Sequence, residues 1–172
     1  MRRLSIFAVM VFVVLVCGSV ASAQTTTPKP PPTYEQVIVN TWKNLHNKIL
    51  AMAKVTQFPD DKLGWKSHPD SRSILEELRH VTIGLEMTTA VAKGEKFDFG
   101  AREKMDAGKP KTRASMVAEM EAAIAASYPV VEGGKPIPQL IGWLDHQGEH
   151  YGKLVTAYRV NGVVPPISRP RS

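Results

Sequence analysis

The stretch "GWLDHQGEHYGKLVTAYRVNG" (Gly142–Gly162) decides how the rest of the chain is read. At 100° per residue, Leu140, Leu144, Tyr151, Leu154, Val155 and Tyr158 fall on one side, the pattern of an amphipathic helix. Asn161 and Gly162 are good C-terminal cap residues, and Pro165 and Pro166 follow them, so the spacing predicts a helix from about Pro138 to Val160. His146 and His150 stand four residues apart, just over one turn, and project from the same side. They lie on the flank of the apolar stripe, beside Trp143, where they would line a groove against a neighbouring helix.

Three more helical patterns precede this one. "TYEQVIVNTWKNLHNKILAMAKV" opens with Thr33 and Gln36 at capping-box spacing, and Ile38, Trp42, Leu45, Ile49 and Met52 form its apolar face. "SILEELRHVTIGLEMTTAVA" repeats the box with Ser73 and Glu76, and Ile74, Leu78, Val81 and Leu85 line its face. "TRASMVAEMEAAIAASY" carries Met116, Met120 and Ile124 at four-residue steps, and "EGGKPIP" breaks it. "KGEKFDFGAREKMDAGKPK" reads as a long polar loop whose Phe97 and Phe99 fold back as a flap. No stretch alternates as a half-buried strand does. Four amphipathic helices around one core predict an all-α four-helix bundle over residues 34–169.

The ends of the chain bound its setting. "MRRLSIFAVMVFVVLVCGSVASAQ" has a charged start, a short apolar run and a small-residue site, the layout of a cleavable signal peptide over residues 1–23, cut near Ala23. The expected product is exported, periplasmic or secreted, with no stable membrane span; an uncleaved N-terminal anchor is the alternative. Cys17, the single cysteine, leaves with the leader, and Val16 before it is not the small residue that lipid attachment requires. The remaining chain then has neither a disulfide nor a thiol nucleophile. Residues 24–33 form a Pro-rich linker that favours extended backbone. The formal charge is +6, of which Arg2 and Arg3 carry two, leaving +4 scattered among acids. No basic run reads as a nucleic-acid groove, so nucleic acid is not expected as a partner.

His80, in "ILEELRHV", also sits on the flank of its helix stripe. Facing helices of a bundle can bring one histidine from one helix and two from another to a single point. Three neutral imidazoles suit Zn²⁺, Ni²⁺, Fe²⁺ or Mn²⁺ and leave a coordination position open. The other reading is a set of singly hydrogen-bonded surface histidines. His46 is read as a satisfied, semi-buried core histidine and His68, before Pro69, as a loop residue. "HQGEH" matches the H-x-x-E-H pattern of inverted zinc peptidases, yet no Asp or Glu follows Glu149 to complete such a site, and Glu149 points away from the two histidines. Gly148 and Gly152 each cost roughly 1 kcal/mol of helix stability relative to alanine, which predicts close approach of a neighbouring backbone there.

Beyond this reading, "HQGEHYGKLVTAYRVNGVVPPISRP" resembles the last helix and tail of DinB-like proteins: a histidine, then His-Tyr-Gly, a Tyr-Leu-Arg-like run, and Gly-hydrophobic-Val-Pro-Pro. "SILEELRHV", with "FPDDKLGWK" leading up to it, is similar to the approach and second helix of that family. The resemblance is strongest from Asp145 to Arg169. It implies a four-helix bundle, often a homodimer, with a divalent metal on His80, His146 and His150. It also implies a metal-dependent transferase or hydrolase acting on a small molecule, since characterised relatives include thiol transferases and isomerases. The alternative is a non-enzymatic metal-binding or structural helical module. No general base stands out; Tyr151 and Glu149 are the candidates.

Overall fold

Hydrogen-bonded boxes start both of the first two helices where the sequence predicts them. In the computed structural model, which describes residues 29–109, 112–134 and 137–170, Thr33 and Gln36 exchange backbone and side-chain hydrogen bonds at 2.9 and 3.3 Å. They open α1 (Tyr34–Ala53). Ser73 and Glu76 do the same at 2.7 and 3.2 Å at the head of α2 (Ile74–Ala92). Each box satisfies amide donors that a helix N-terminus leaves without partners. A short α3 (Phe99–Ala107) follows, then α4 (Arg113–Glu132) and α5 (Ile137–Val160). Single 3₁₀ turns occupy Asp60–Lys62 and Pro166–Ser168. The described residues contain no strand.

The four long helices make the bundle. α1 packs against α4 and α5, and α2 packs against the same two, so α1 and α2 face each other across the diagonal. Residues from Pro32 onward form one compact unit. Trp42, Ile49, Leu78, Leu85, Met120 and Leu154 are fully or almost fully buried at its centre, all on the faces that periodicity assigns to the core. The polar tips of the large aromatic residues are satisfied, as burial requires. Trp42 Nε1 donates to Ser127 Oγ at 3.0 Å, and the Tyr158 hydroxyl donates to the Met52 carbonyl at 2.7 Å.

The ends of the elements are stitched by specific chemistry. Arg113 donates to the Ala53 and Phe58 carbonyls at 2.9 and 2.6 Å and pairs with Asp60, so the first turn of α4 closes the exit of α1. At the end of α5, Gly162 takes φ +77°, Val163 N–H bonds to Tyr158 O and Gly162 N–H to Arg159 O. These are the two bonds of a Schellman cap, with glycine at the left-handed position.

The segment read from sequence as a long polar loop corrects that reading: nine of its residues form α3. Asp98 Oδ1 caps it by accepting from Ala101 N–H at 2.9 Å, and Arg102 grips Glu86 of α2 with two hydrogen bonds at 2.7 and 2.8 Å. Arg79 of α2 also pairs with the buried Asp106. Cross-element ion pairs, rather than an apolar stripe, fix this helix, which is why periodicity does not reveal it. The expected signal peptide (1–23) and residues 24–28 of the expected linker lie outside the described residues. Among the described residues, no helix is long and apolar enough to cross a membrane.

Candidate metal centre

Because α2 and α5 are neighbours, the outward flank of one meets that of the other. His80 comes from the second turn of α2, and His146 and His150 come from the middle of α5. Ring centroids are 4.5 Å apart for His146–His150, 4.6 Å for His80–His150 and 5.9 Å for His80–His146. One nitrogen from each ring lies within 4.8 Å of the others. The trio is graded in depth: His150 is buried, His80 half-buried and His146 exposed.

Two carboxylates orient the rings. Glu103 Oε1 lies 2.8 Å from His80 Nδ1, and Glu77 Oε1 lies 2.8 Å from His150 Nδ1. A carboxylate only accepts, so both Nδ1 atoms carry the hydrogen and, in the neutral rings, both Nε2 atoms present lone pairs. This is the carboxylate–histidine arrangement that fixes tautomer and ring orientation around bound metals. His150 Nε2 and His146 Nε2 approach to 3.0 Å. Two bare lone pairs at that distance repel, so the contact calls for a shared proton or a cation. Nitrogens sharing a tetrahedral ion at about 2.0–2.1 Å stand about 3.3 Å apart, and the 3.0 Å separation of His146 and His150 is close to that value.

The surroundings favour neutral forms of His80 and His146. Burial lowers the His80 pKa, and the charges of Arg72 and His150 add to that against the opposing pull of Glu103. Burial likewise lowers His146, reinforced by His150. Glu77 is held below the usual carboxylate range: burial pushes it upward, but the hydrogen bond and charge of His150, with Lys153 and Arg72 nearby, outweigh that.

A family model described as the DinB superfamily matches residues 42–157, more than half of the chain and a span that contains all three histidines. The chain belongs to the DinB superfamily. No curated protein matches it.

In this DinB protein the three histidines singled out from sequence do converge, and the other two do not join them. His46 is fully buried rather than semi-buried; its Nδ1 lies 2.8 Å from the Trp42 carbonyl and its Nε2 has no partner. His68 sits in the loop before α2, with Nδ1 accepting from Asp70 N–H at 3.2 Å. Glu149 is exposed and outside the trio, against the peptidase pattern. The glycine expectation is corrected: a Cβ at Gly148 or Gly152 would meet nothing within 4 Å, whereas one at Gly84 would lie 2.6 Å from Gln147 Nε2. The close approach is of a side chain to α2, one helix away from the glycines that sequence reading picked.

Glu77 and Glu103 are the functional residues that sequence reading missed. Glu77 had a signal: a carboxylate three residues after Ile74 and four before Val81 lies on the apolar face, where only a partnered acid belongs. Glu103 had none, since its helix was read as loop.

A cleft of about 490 Å³ opens beside the trio. His80 and His146 form part of its wall, and Phe99, Trp143, Met87 and Gln147 much of the remainder. Phe99, at the start of α3, meets the His80 ring edge-on with centroids 5.0 Å apart.

Proposed function

We propose that this DinB-superfamily protein binds one divalent cation through Nε2 of His80, His146 and His150, and that the site works on a small molecule admitted from the cleft. The observation that carries this reading is the set of ring contacts: Nδ1 of His80 and of His150 are occupied by carboxylates, which leaves their Nε2 atoms to bind, and Nε2 of His150 lies 3.0 Å from Nε2 of His146. A cation there would supply Lewis acidity and a bound water of lowered pKa. The protein's own part is to orient two of the imidazoles through Glu77 and Glu103, to favour neutral His80 and His146 by burial, and to leave the His146 side open. Zn²⁺, Ni²⁺, Fe²⁺ and Mn²⁺ remain the candidates, and the reaction class is hydrolysis or group transfer.

A non-enzymatic metal-binding role is the second reading. One observation favours it: the cleft wall carries no carboxylate and no tyrosine to act as a base. The proposal extends to export after cleavage near Ala23 and to assembly as a homodimer, both resting on the sequence and on the family resemblance. Intact mass of the exported protein and light scattering test these two.

Metal analysis of protein purified without a histidine tag tests the site itself. Wild type is expected to hold close to one equivalent, and His150→Ala much less. Equal, negligible metal in both would sink the proposal. Ligating imidazoles must be unprotonated, so affinity falls on acidification; binding that stays flat from neutral to about pH 5 contradicts histidine ligation.

A further inference from the structure

The cleft beside His80 and His146 carries chemical information of its own. Among its lining residues none bears a formal charge; besides the two histidines the walls are Phe99, Trp143, Met87, glycines and two glutamines. Charged side chains line two other cavities: Arg72, Lys153 and Glu77 one, and Arg79, Glu103 and Lys104 a second that His80 also borders. A cleft wall of this composition favours apolar surface over an ion, because nothing in it replaces the ion's water.

Gln147 breaks the pattern. The residue is 1 % exposed, its Oε1 has no hydrogen-bond partner, and it lies between the two α5 histidines while forming part of the cleft wall. A buried amide without a partner is rare and calls for an explanation. Gly84 makes the position possible, since any Cβ there would collide with the amide. An amide oxygen kept unpaired, with a glycine in the middle of α2 making room for the side chain, has the character of an anchor for an N–H or O–H donor that comes from outside.

We propose that this cleft seats an uncharged, largely apolar portion of the substrate, aryl or branched alkyl, whose polar atom pairs with the Gln147 amide. This rests on the reading of the trio as a metal site only for which end of the ligand faces the histidines. The apolar seat itself stands without the metal.

Gly142 gives the decisive variant. It lines the cleft one turn before His146, and a Cβ there meets nothing within 4 Å, so Gly142→Leu fills the cleft without disturbing α5. On metal-free protein, the neutral dye N-phenyl-1-naphthylamine is expected to bind with enhanced fluorescence. Its sulfonated analogue, 1-anilinonaphthalene-8-sulfonate, should bind at least about tenfold more weakly, and Gly142→Leu should weaken the neutral dye by a similar factor. No dye binding, binding indifferent to Gly142→Leu, or preference for the sulfonate overturns the proposal. On zinc-loaded protein, benzohydroxamic acid should bind about tenfold or more tightly than acetohydroxamic acid, with the gain abolished by Gly142→Leu at unchanged zinc content. Absence of stoichiometric zinc would defeat the metal reading while the dye result still decides the cleft. Zinc bound with no phenyl preference would defeat the cleft and spare the metal.

Discussion

At the scale of single residues, burial decides what each polar group does. His46 is enclosed in the core, 4.4 Å from the Trp42 ring, and burial holds its pKa down at about 4, against 6.5 for an ordinary histidine. The unfolded chain therefore binds a proton at this ring between those two pH values while the folded chain does not. Its contribution to stability is intact above pH 6.5 and lost as pH falls toward 4, by about 3 kcal/mol over the whole window. Urea titrations at pH 7 and pH 4.5 should show His46→Leu losing markedly less stability than wild type over that range; equal losses would place the acid sensitivity elsewhere. Glu77 acts through His150. Glu77→Gln leaves the fold but weakens the partner that sets the ring's tautomer, so metal affinity should drop about tenfold to hundredfold in competition with a chromophoric chelator. Gly84→Ala puts a methyl against the end of the Gln147 side chain and must displace its amide, while alanine favours the helix by about 1 kcal/mol, so denaturant midpoints are expected to show a net destabilisation of no more than about 1 kcal/mol.

At the scale of elements, the chain is legible where hydrophobic period and capping agree. Thr33 and Gln36, Ser73 and Glu76, and Asn161 with Gly162 mark ends in the sequence and serve as caps in the fold. The helix α3 is where legibility fails, because its stability comes from Arg102, Glu86, Arg79 and Asp106, whose pairing is set by distance in space rather than along the chain. This short helix delivers both Glu103 and Phe99 to His80. Arg102→Leu removes its two-pronged hold on Glu86. Hydrogen exchange should then accelerate across residues 99–107 while the amides of α2 and α5 keep their protection. Uniform acceleration everywhere would mean that α3 is integral to the bundle's cooperative unit instead.

At the scale of the whole molecule, the order of the helices around the bundle makes the site. Periodicity gives each helix its face but not its neighbours, so the sequence offers three histidines on flanks without saying that the flanks touch. Placing α1 diagonally from α2 leaves α2 and α5 side by side, and that adjacency joins His80 to the α5 pair. A ligand that bridges two helices stabilises the folded state alone. At a free cation concentration of one hundred times Kd the gain is about 2.7 kcal/mol, which in a domain of this size raises Tm by roughly 5–10 °C. Calorimetry with and without a chelator reads that shift, and His80→Ala should abolish it. An unchanged Tm at saturation would mean that any cation sits elsewhere or binds the unfolded chain equally well.

The three rings are not equivalent, and the inequality has a kinetic outcome. His80 and His150 are each tethered through Nδ1, whereas among the described residues nothing tethers the Nδ1 of solvent-facing His146. Rotation of that ring, held only through Nε2 against His150, is the least costly way for the trio to open. Capture and escape of a cation would share this gate, so restraining His146 would slow both together and leave the equilibrium nearly where it was.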